Sequence, residues 1–305
     1  MNFLLHGFGD TPTVTQYSHI ALDDCNANGC RADALTGFPV WSPDGRRTIL
    51  QWQHYFLQLG DHNANPSKAL GDGFSPFWID NNHYGYLRFI EESDFEKMKG
   101  GMEIVIAGLD QTPQRLLTIN DFVASDPQEQ SVTDYISYVS VNPANPHQLY
   151  VALRSYSDQN QRVKIYSVLL KESAETLVVD QITPQLILDG AIVGYPSLVV
   201  PNGFIPFVLS PDGRWITANR PSPDTADTWL IYAHDTQQQQ THIYTISYPS
   251  SMFIHPYYDW SRDSNWLVII DQNYLRLIAP AHNYERLITH DLQNCSHPAW
   301  VNPIN

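Results

Sequence analysis

At 305 residues and 34.7 kDa, the chain is long enough to bury a substantial core, as one large all-β domain or two ordinary ones. Charged residues make up only 16% and aromatic residues 12%, which argues against long solvated helices and against disorder. The formal net charge of −15 repels phosphate backbones and anionic headgroups, so neither nucleic acid nor a membrane surface is an expected partner.

The N-terminal run Met1-Asn2-Phe3-Leu4-Leu5-His6-Gly7-Phe8 lacks a basic segment, an extended apolar stretch and a small-residue cleavage site, so it does not read as a signal peptide. No apolar run approaches the length of a membrane span. A soluble chain is expected, and an extracytoplasmic origin, periplasmic or secreted, as part of a longer precursor is compatible with it. Cys25 and Cys30 flank Asn26-Ala27-Asn28-Gly29, at the expected tip of a hairpin between strands near 16–23 and 31–35. A turn disulfide between them and two free thiols are both open. A zinc site wants closer spacing and four ligands, and Cys295 stands alone.

Residues 38–50 read as an apolar strand ending at Trp41, the turn Ser42-Pro43-Asp44-Gly45 and a second strand. The turn chemistry is specific. Proline presets φ, aspartate caps the reversal and glycine accepts φ > 0, so two antiparallel strands join tightly. A degenerate copy follows at 75–82 around Trp78, with later strands at 84–90, 103–107 and 114–118. Another lies at 138–145, followed by strands at 149–154, 162–169 and 176–180. Phe207-Val208-Leu209-Ser210-Pro211-Asp212-Gly213-Arg214-Trp215-Ile216 repeats the turn letter for letter. Its later strands, 230–234 and 242–246, enclose Gln237-Gln238-Gln239-Gln240 as a solvated hairpin tip. Tyr258-Asp259-Trp260-Ser261-Arg262-Asp263 keeps the Trp, Ser and Asp, and His297-Pro298-Ala299-Trp300-Val301-Asn302-Pro303 is a last copy.

Six copies, each opening a unit of four strands a to d, predict an all-β, six-bladed β-propeller of four-stranded antiparallel blades in a single domain over 1–305. The last copy has too little chain after it for a whole blade. The last blade is therefore expected to combine 297–305 with 1–36, closing the molecule by pairing its terminal strands.

The Pro-x-Trp-Ser-Pro-Asp-Gly pattern, clearest at 39–45, 209–215 and 258–264, resembles the TolB-type WD-like repeat, also found in propellers that precede prolyl-oligopeptidase-type hydrolase domains. The resemblance implies a propeller fold; members of this group scaffold, bind or gate and share no single reaction. The copies at 75–82 and 138–145 depart from it by lacking Ser-Pro-Asp-Gly, and no segment resembles TolB's N-terminal α/β domain or a hydrolase domain.

Chemistry-bearing patterns are few. No Gly-x-Ser-x-Gly elbow is present for a serine hydrolase. The histidines near carboxylates, such as His54 and His62 with Asp61, or His282, His290 and His297 around Asp291, follow no metal-ligand spacing, so no metal and no cofactor is expected. Asp44, Asp212 and Asp263 recur at one repeat position because the turn needs them. Sialidase-type Asp boxes require a different glycine position.

Loop lengths indicate the working surface. The a–b and c–d turns emerge at one end of a blade, the b–c loops and d-to-next-a connections at the other. Long segments at 91–101, 120–134, 155–161, 182–203 and 220–228 all fall at the second end, where binding usually resides. Phe95, Tyr156, Tyr195, Trp229 and Tyr257 in or beside them are expected to be exposed anchors for a protein or peptide partner. Asp94, Asp134 and Asp158 lie in the same loops and favour a basic partner. A monomeric, non-catalytic binding or scaffolding module is the favoured expectation. The alternative is a propeller enzyme, or a small-molecule or carbohydrate binder, with its site at the central channel mouth.

Overall fold

The computed structural model describes residues 3–6, 13–16, 25–26, 29–30, 40–51, 56–62, 65–90, 101–125, 134–155, 162–173, 176–189, 207–222, 224–225, 228–247, 258–271 and 274–287. Two short hairpins come first, β1 (Phe3–His6) with β2 (Thr13–Gln16) and β3 (Cys25–Asn26) with β4 (Gly29–Cys30). Among the described residues, five four-stranded antiparallel meanders follow. Sheet one comprises β5 (Val40–Trp41), β6 (Arg47–Gln51), β7 (Phe56–Asp61) and β8 (Pro66–Asp72); sheet two comprises β9 (Phe74–Trp78), β10 (His83–Phe89), β11 (Met102–Gly108) and β12 (Gln114–Thr118). Sheet three is β13 (Asp134–Asn142), β14 (Asn145–Ser155), β15 (Arg162–Ser173) and β16 (Thr176–Asp189). Sheet four is β17 (Phe207–Leu209), β18 (Trp215–Pro221), β19 (Thr228–Asp235) and β20 (Gln240–Ser247). Sheet five is β21 (Tyr258–Trp260), β22 (Leu267–Asp271), β23 (Tyr274–Ala279) and β24 (Tyr284–Leu287).

The chain divides into two compact units, Met1–Ala124 with Lys171–Val179, and Ser125–Leu170 with Asp180–Asn305. In the first, Ile49, Leu57 and Leu70 of sheet one pack with Trp78, Tyr84 and Tyr86 of sheet two. In the second, one cluster joins sheets three and four through Tyr150, Leu186, Phe207 and Ile216, and another joins sheets four and five through Trp215, Ile231, Trp260 and Ile269. Middle strands are covered on both faces. β11 is buried at every position, which is why it reads as an unbroken apolar run instead of alternating. Of the fourth strands, β24 is exposed along its whole length, while β8, β16 and β20 each turn some side chains into the core.

The three best-kept turns share one hydrogen-bond pattern. Ser42 Oγ donates to Asp44 Oδ1 at 2.7 Å, Ser210 Oγ to Asp212 Oδ1 at 2.5 Å and Ser261 Oγ to Asp263 Oδ1 at 2.6 Å. Each serine oxygen then accepts from the backbone where the next strand begins, the N–H of Arg47 or Trp215 or, one residue before β22, that of Trp266, at 2.9–3.0 Å. Each aspartate accepts from the N–H two residues on, that of Arg46, Arg214 or Asn265, at 3.1 Å. Gly45 and Gly213 supply φ of 68° and 69°, and Ser264 takes φ 59° at the same position without being glycine. The degenerate copies substitute another carboxylate or amide. Asp80 Oδ1 accepts from the N–H groups of Asn82 and His83, and Asn142 Oδ1 from that of Ala144.

Several expectations are corrected. The connection expected over 120–134 opens with a helix, α1 (Ile119–Ser125), whose Asp121 accepts from the Thr118 N–H and hydroxyl and whose Phe122 is buried. The strands expected to end at 169 and 180 run on to Ser173 and Asp189, so residues 182–189, expected as loop, are strand. The expected strands at 297–301 and 31–35 lie outside the described residues, as does all of 16–23 except Gln16.

Candidate functional site

At the end of the sheets that carries the a–b turns, polar groups are spent on the fold. The N–H of Asp44 donates to Asn81 Oδ1 at 3.0 Å and Arg47 Nη1 to the Asn81 carbonyl at 3.2 Å, tying the first turn to the second. The N–H of Asp212 donates to Ser264 Oγ at 2.9 Å, tying the fourth to the fifth. Gly213 lies so close to Asn142 of the third turn that a Cβ there would meet Asn142 Oδ1 at 1.9 Å. The tryptophan anchors act between sheets as well. Trp78 Nε1 donates to the Val40 carbonyl at 2.9 Å and Trp260 Nε1 to Thr217 Oγ1 at 3.0 Å.

Electrostatics at this end follow from the same contacts. The Ser42 and Ser261 hydroxyls hold the Asp44 and Asp263 carboxyls below the usual range. Burial pushes the Asp80 carboxyl up, but hydrogen bonds from His83 and from the Asn82 and His83 N–H groups outweigh it and hold it low. His83 Nδ1 donates to Asp80 Oδ2 at 2.8 Å, which fixes the ring beside a shallow recess lined also by Ile106, Gln111, Gln114, Thr176 and Leu177. Asp235, 1% exposed, accepts from Arg214 Nη2 at 2.6 Å and from the N–H groups of Gln237 and Gln238. That network stabilises the polar c–d hairpin tip. Among the described residues no group of three or more His, Cys, Asp or Glu is arranged to hold a metal ion.

Taken sheet by sheet, the opposite end differs. There the chain leaves β10 at Phe89 and returns at Met102, leaves β14 at Ser155 and returns at Arg162, and leaves β16 at Asp189 and returns at Phe207. The contrast is confined to sheets two to four and their connections. β8 reaches β9 through Gly73 alone, where a Cβ would lie 2.3 Å from Tyr86. β22 and β23 are separated only by 272–273.

A feature of this end that the sequence reading missed is an arginine at the penultimate position of the second strand in three successive sheets: Arg88, Arg154 and Arg220. Arg88 Nε donates to Glu103 Oε1 at 2.7 Å, with Glu103 only 5% exposed, and Arg220 Nε donates to the Tyr232 hydroxyl at 2.6 Å. Arg154 is buried. The charge-assisted bonds of Arg88 and Arg220 clamp the ends of β10 and β18 to their neighbouring strands. The recurring signal was Leu87-Arg88, Leu153-Arg154 and Asn219-Arg220, ten to thirteen positions after the strand-a anchors of their repeats, and the variable turn lengths hid it.

Of the expected partner-binding residues, Phe95, Tyr156, Tyr195, Tyr257, Asp94 and Asp158 lie outside the described residues. Asp134 opens β13, in register with Ser155 at the start of a long connection. Trp229 corrects an expectation: it is 9% exposed and packs in the core between sheets four and five, so it is no exposed anchor. Cys25 and Cys30 are register partners in the β3–β4 hairpin.

No family model and no curated protein matches the chain. Solved structures do. The tricorn protease matches with a TM-score of 0.51 at 9% identity, over 85% of this chain and 26% of its own. A TolB-type protein from Agrobacterium tumefaciens matches at TM-score 0.45 and 15% identity, over 85% of this chain and 81% of its own. The Swd1 β-propeller domain of Myceliophteria thermophila matches at TM-score 0.45 and 10% identity, over 84% and 73%. The fold is a β-propeller. At these identities the likeness concerns the fold alone. Within that fold, hydrogen bonds from the Ser-x-Asp turns tie sheet one to sheet two and sheet four to sheet five.

Proposed function

We propose that this chain is a non-catalytic binding or scaffolding propeller that engages a protein or peptide of basic character through the sheet ends carrying the long connections. The observation behind this reading is the contrast between the two ends of the sheets: the a–b turns bond to one another across sheets one and two and across sheets four and five, whereas the longer connections leave the other ends, one of them beside the Arg88–Glu103 pair. Phe95, Tyr156, Tyr195 and Tyr257 are the aromatic anchors in this reading, and Asp94, Asp134 and Asp158 supply its charge. The scaffold has six blades, the last combining 297–305 with 1–36.

The test is a fluorescence titration of the full chain with a labelled oligo-lysine peptide and an oligo-glutamate control at low and moderate salt. The basic peptide binds, with affinity falling as salt rises. The double variant Asp94→Lys, Asp158→Lys weakens binding roughly tenfold or more, since a like charge replaces each attraction. Asp110→Lys, Glu172→Lys, an equal charge change at the turn end, leaves it near wild type. Equal loss from both pairs, or loss only from the second, overturns the proposed surface.

A further inference from the structure

The β3–β4 hairpin brings the two cysteines of the N-terminal region into one register pair. Cys25 opposes Cys30 and Asn26 opposes Gly29, with residues 27 and 28 joining the strands. Directly opposed antiparallel residues share a face and hold their Cα atoms about 4.5–5.5 Å apart. A disulfide spans Cα separations of roughly 4.4–6.8 Å, so the backbone register needs no rearrangement to accept one. A slip of one residue would remove this match, because it would send the two side chains to opposite faces.

We propose that Cys25 and Cys30 are a thiol–disulfide site that oxidises to an intrachain bond clasping this hairpin. The oxidant is a small-molecule disulfide such as oxidised glutathione. One cysteine thiolate attacks a glutathione sulfur, forming a mixed disulfide and expelling glutathione thiolate; the second cysteine then attacks its partner's sulfur and expels the other glutathione. Two electrons pass from the cysteine pair to the oxidant, and the two thiol protons end on the two released glutathiones. The third cysteine, Cys295, plays no part in the bond.

No Lys or Arg precedes Arg31, so trypsin releases residues 1–31 as one peptide holding both cysteines. The full chain is equilibrated with oxidised glutathione, capped with iodoacetamide, digested and weighed. The expected result is peptide 1–31 unalkylated and about 2 Da lighter than its free-thiol form, converted by dithiothreitol to a doubly alkylatable peptide, with Cys295 never joined to that peptide. In Cys25→Ser and Cys30→Ser the remaining thiol of the pair keeps a glutathione adduct, because no neighbour resolves it. Double alkylation of peptide 1–31 after oxidation, a link to Cys295, or a stable glutathione adduct in the wild-type peptide overturns the proposal.

Discussion

Trp260 Nε1 donates to Thr217 Oγ1 at 3.0 Å with both residues buried, so the first strand of sheet five is pinned to the second strand of sheet four. A buried donor or acceptor left alone costs about 1–3 kcal/mol. Trp260→Phe is therefore expected to lower stability by roughly that amount or more, since ring volume is lost as well. Thr217→Val is expected to cost a similar amount by orphaning the indole N–H. The double variant, which removes both partners, costs less than the sum. Urea unfolding of the four proteins checks this; strict additivity would show that the bond contributes nothing.

Two glycines at the same repeat position should respond differently to alanine. At Gly45, φ is 68° and nothing lies within 4 Å of an added Cβ, so Gly45→Ala carries only the left-handed backbone cost of about 1 kcal/mol. At Gly213 a Cβ also meets Asn142 Oδ1 at 1.9 Å, which displaces the third turn from the fourth. Gly213→Ala is expected to cost about 1–3 kcal/mol beyond Gly45→Ala. Equal melting shifts for the two variants would contradict this packing of the turns.

The Asp235 carboxyl is pushed up by burial, but Arg214 and the N–H groups of Gln238 and Gln237 outweigh this and hold it below its ordinary 3.8. A depressed folded-state value makes its contribution fully present above the ordinary value and lost as pH falls through the lower one. His234, also depressed because burial disfavours its charged form, acts in the same direction from its ordinary 6.5 downward. Asp235→Asn keeps an acceptor for the glutamine N–H groups but loses the charge, so it is expected to cost about 1.5–3 kcal/mol near neutral pH. The gap to wild type should narrow as pH drops below about 3.8. Melting curves from about pH 7 to about pH 3 check it, and a gap independent of pH would contradict the assignment.

If the last blade joins 297–305 to 1–36, deleting 297–305 exposes sheet edges at both ends of the array and removes nearest-neighbour packing. The expected outcome is a lower melting temperature, still in one transition. An unchanged melting temperature would refute closure through the termini.

The sequence made the turns legible because Ser, Asp and Gly each have a separate backbone duty there, and the hydrogen bonds of Ser42, Ser210 and Ser261 carry those duties out. It did not reveal α1, since seven residues with one buried side chain, Phe122, make too short a periodic pattern. Trp229 was misjudged for a physical reason. It pairs with Pro221 at the last register position of β18 and β19, beside a loop in the sequence, yet its ring covers the core between sheets four and five. The arginine clamps were hidden because their partners, such as Glu103 for Arg88, come from the neighbouring strand and leave no linear motif.

Hydrogen exchange on the full chain, with and without saturating oligo-lysine peptide, tests the proposed working end most directly. The account predicts new protection in peptides covering 91–101, 155–161 and 190–206, with peptides covering 42–46, 210–214 and 261–265 unchanged. Protection confined to the Ser-x-Asp turns would contradict it and place the partner on the end whose polar groups are already spent on the fold.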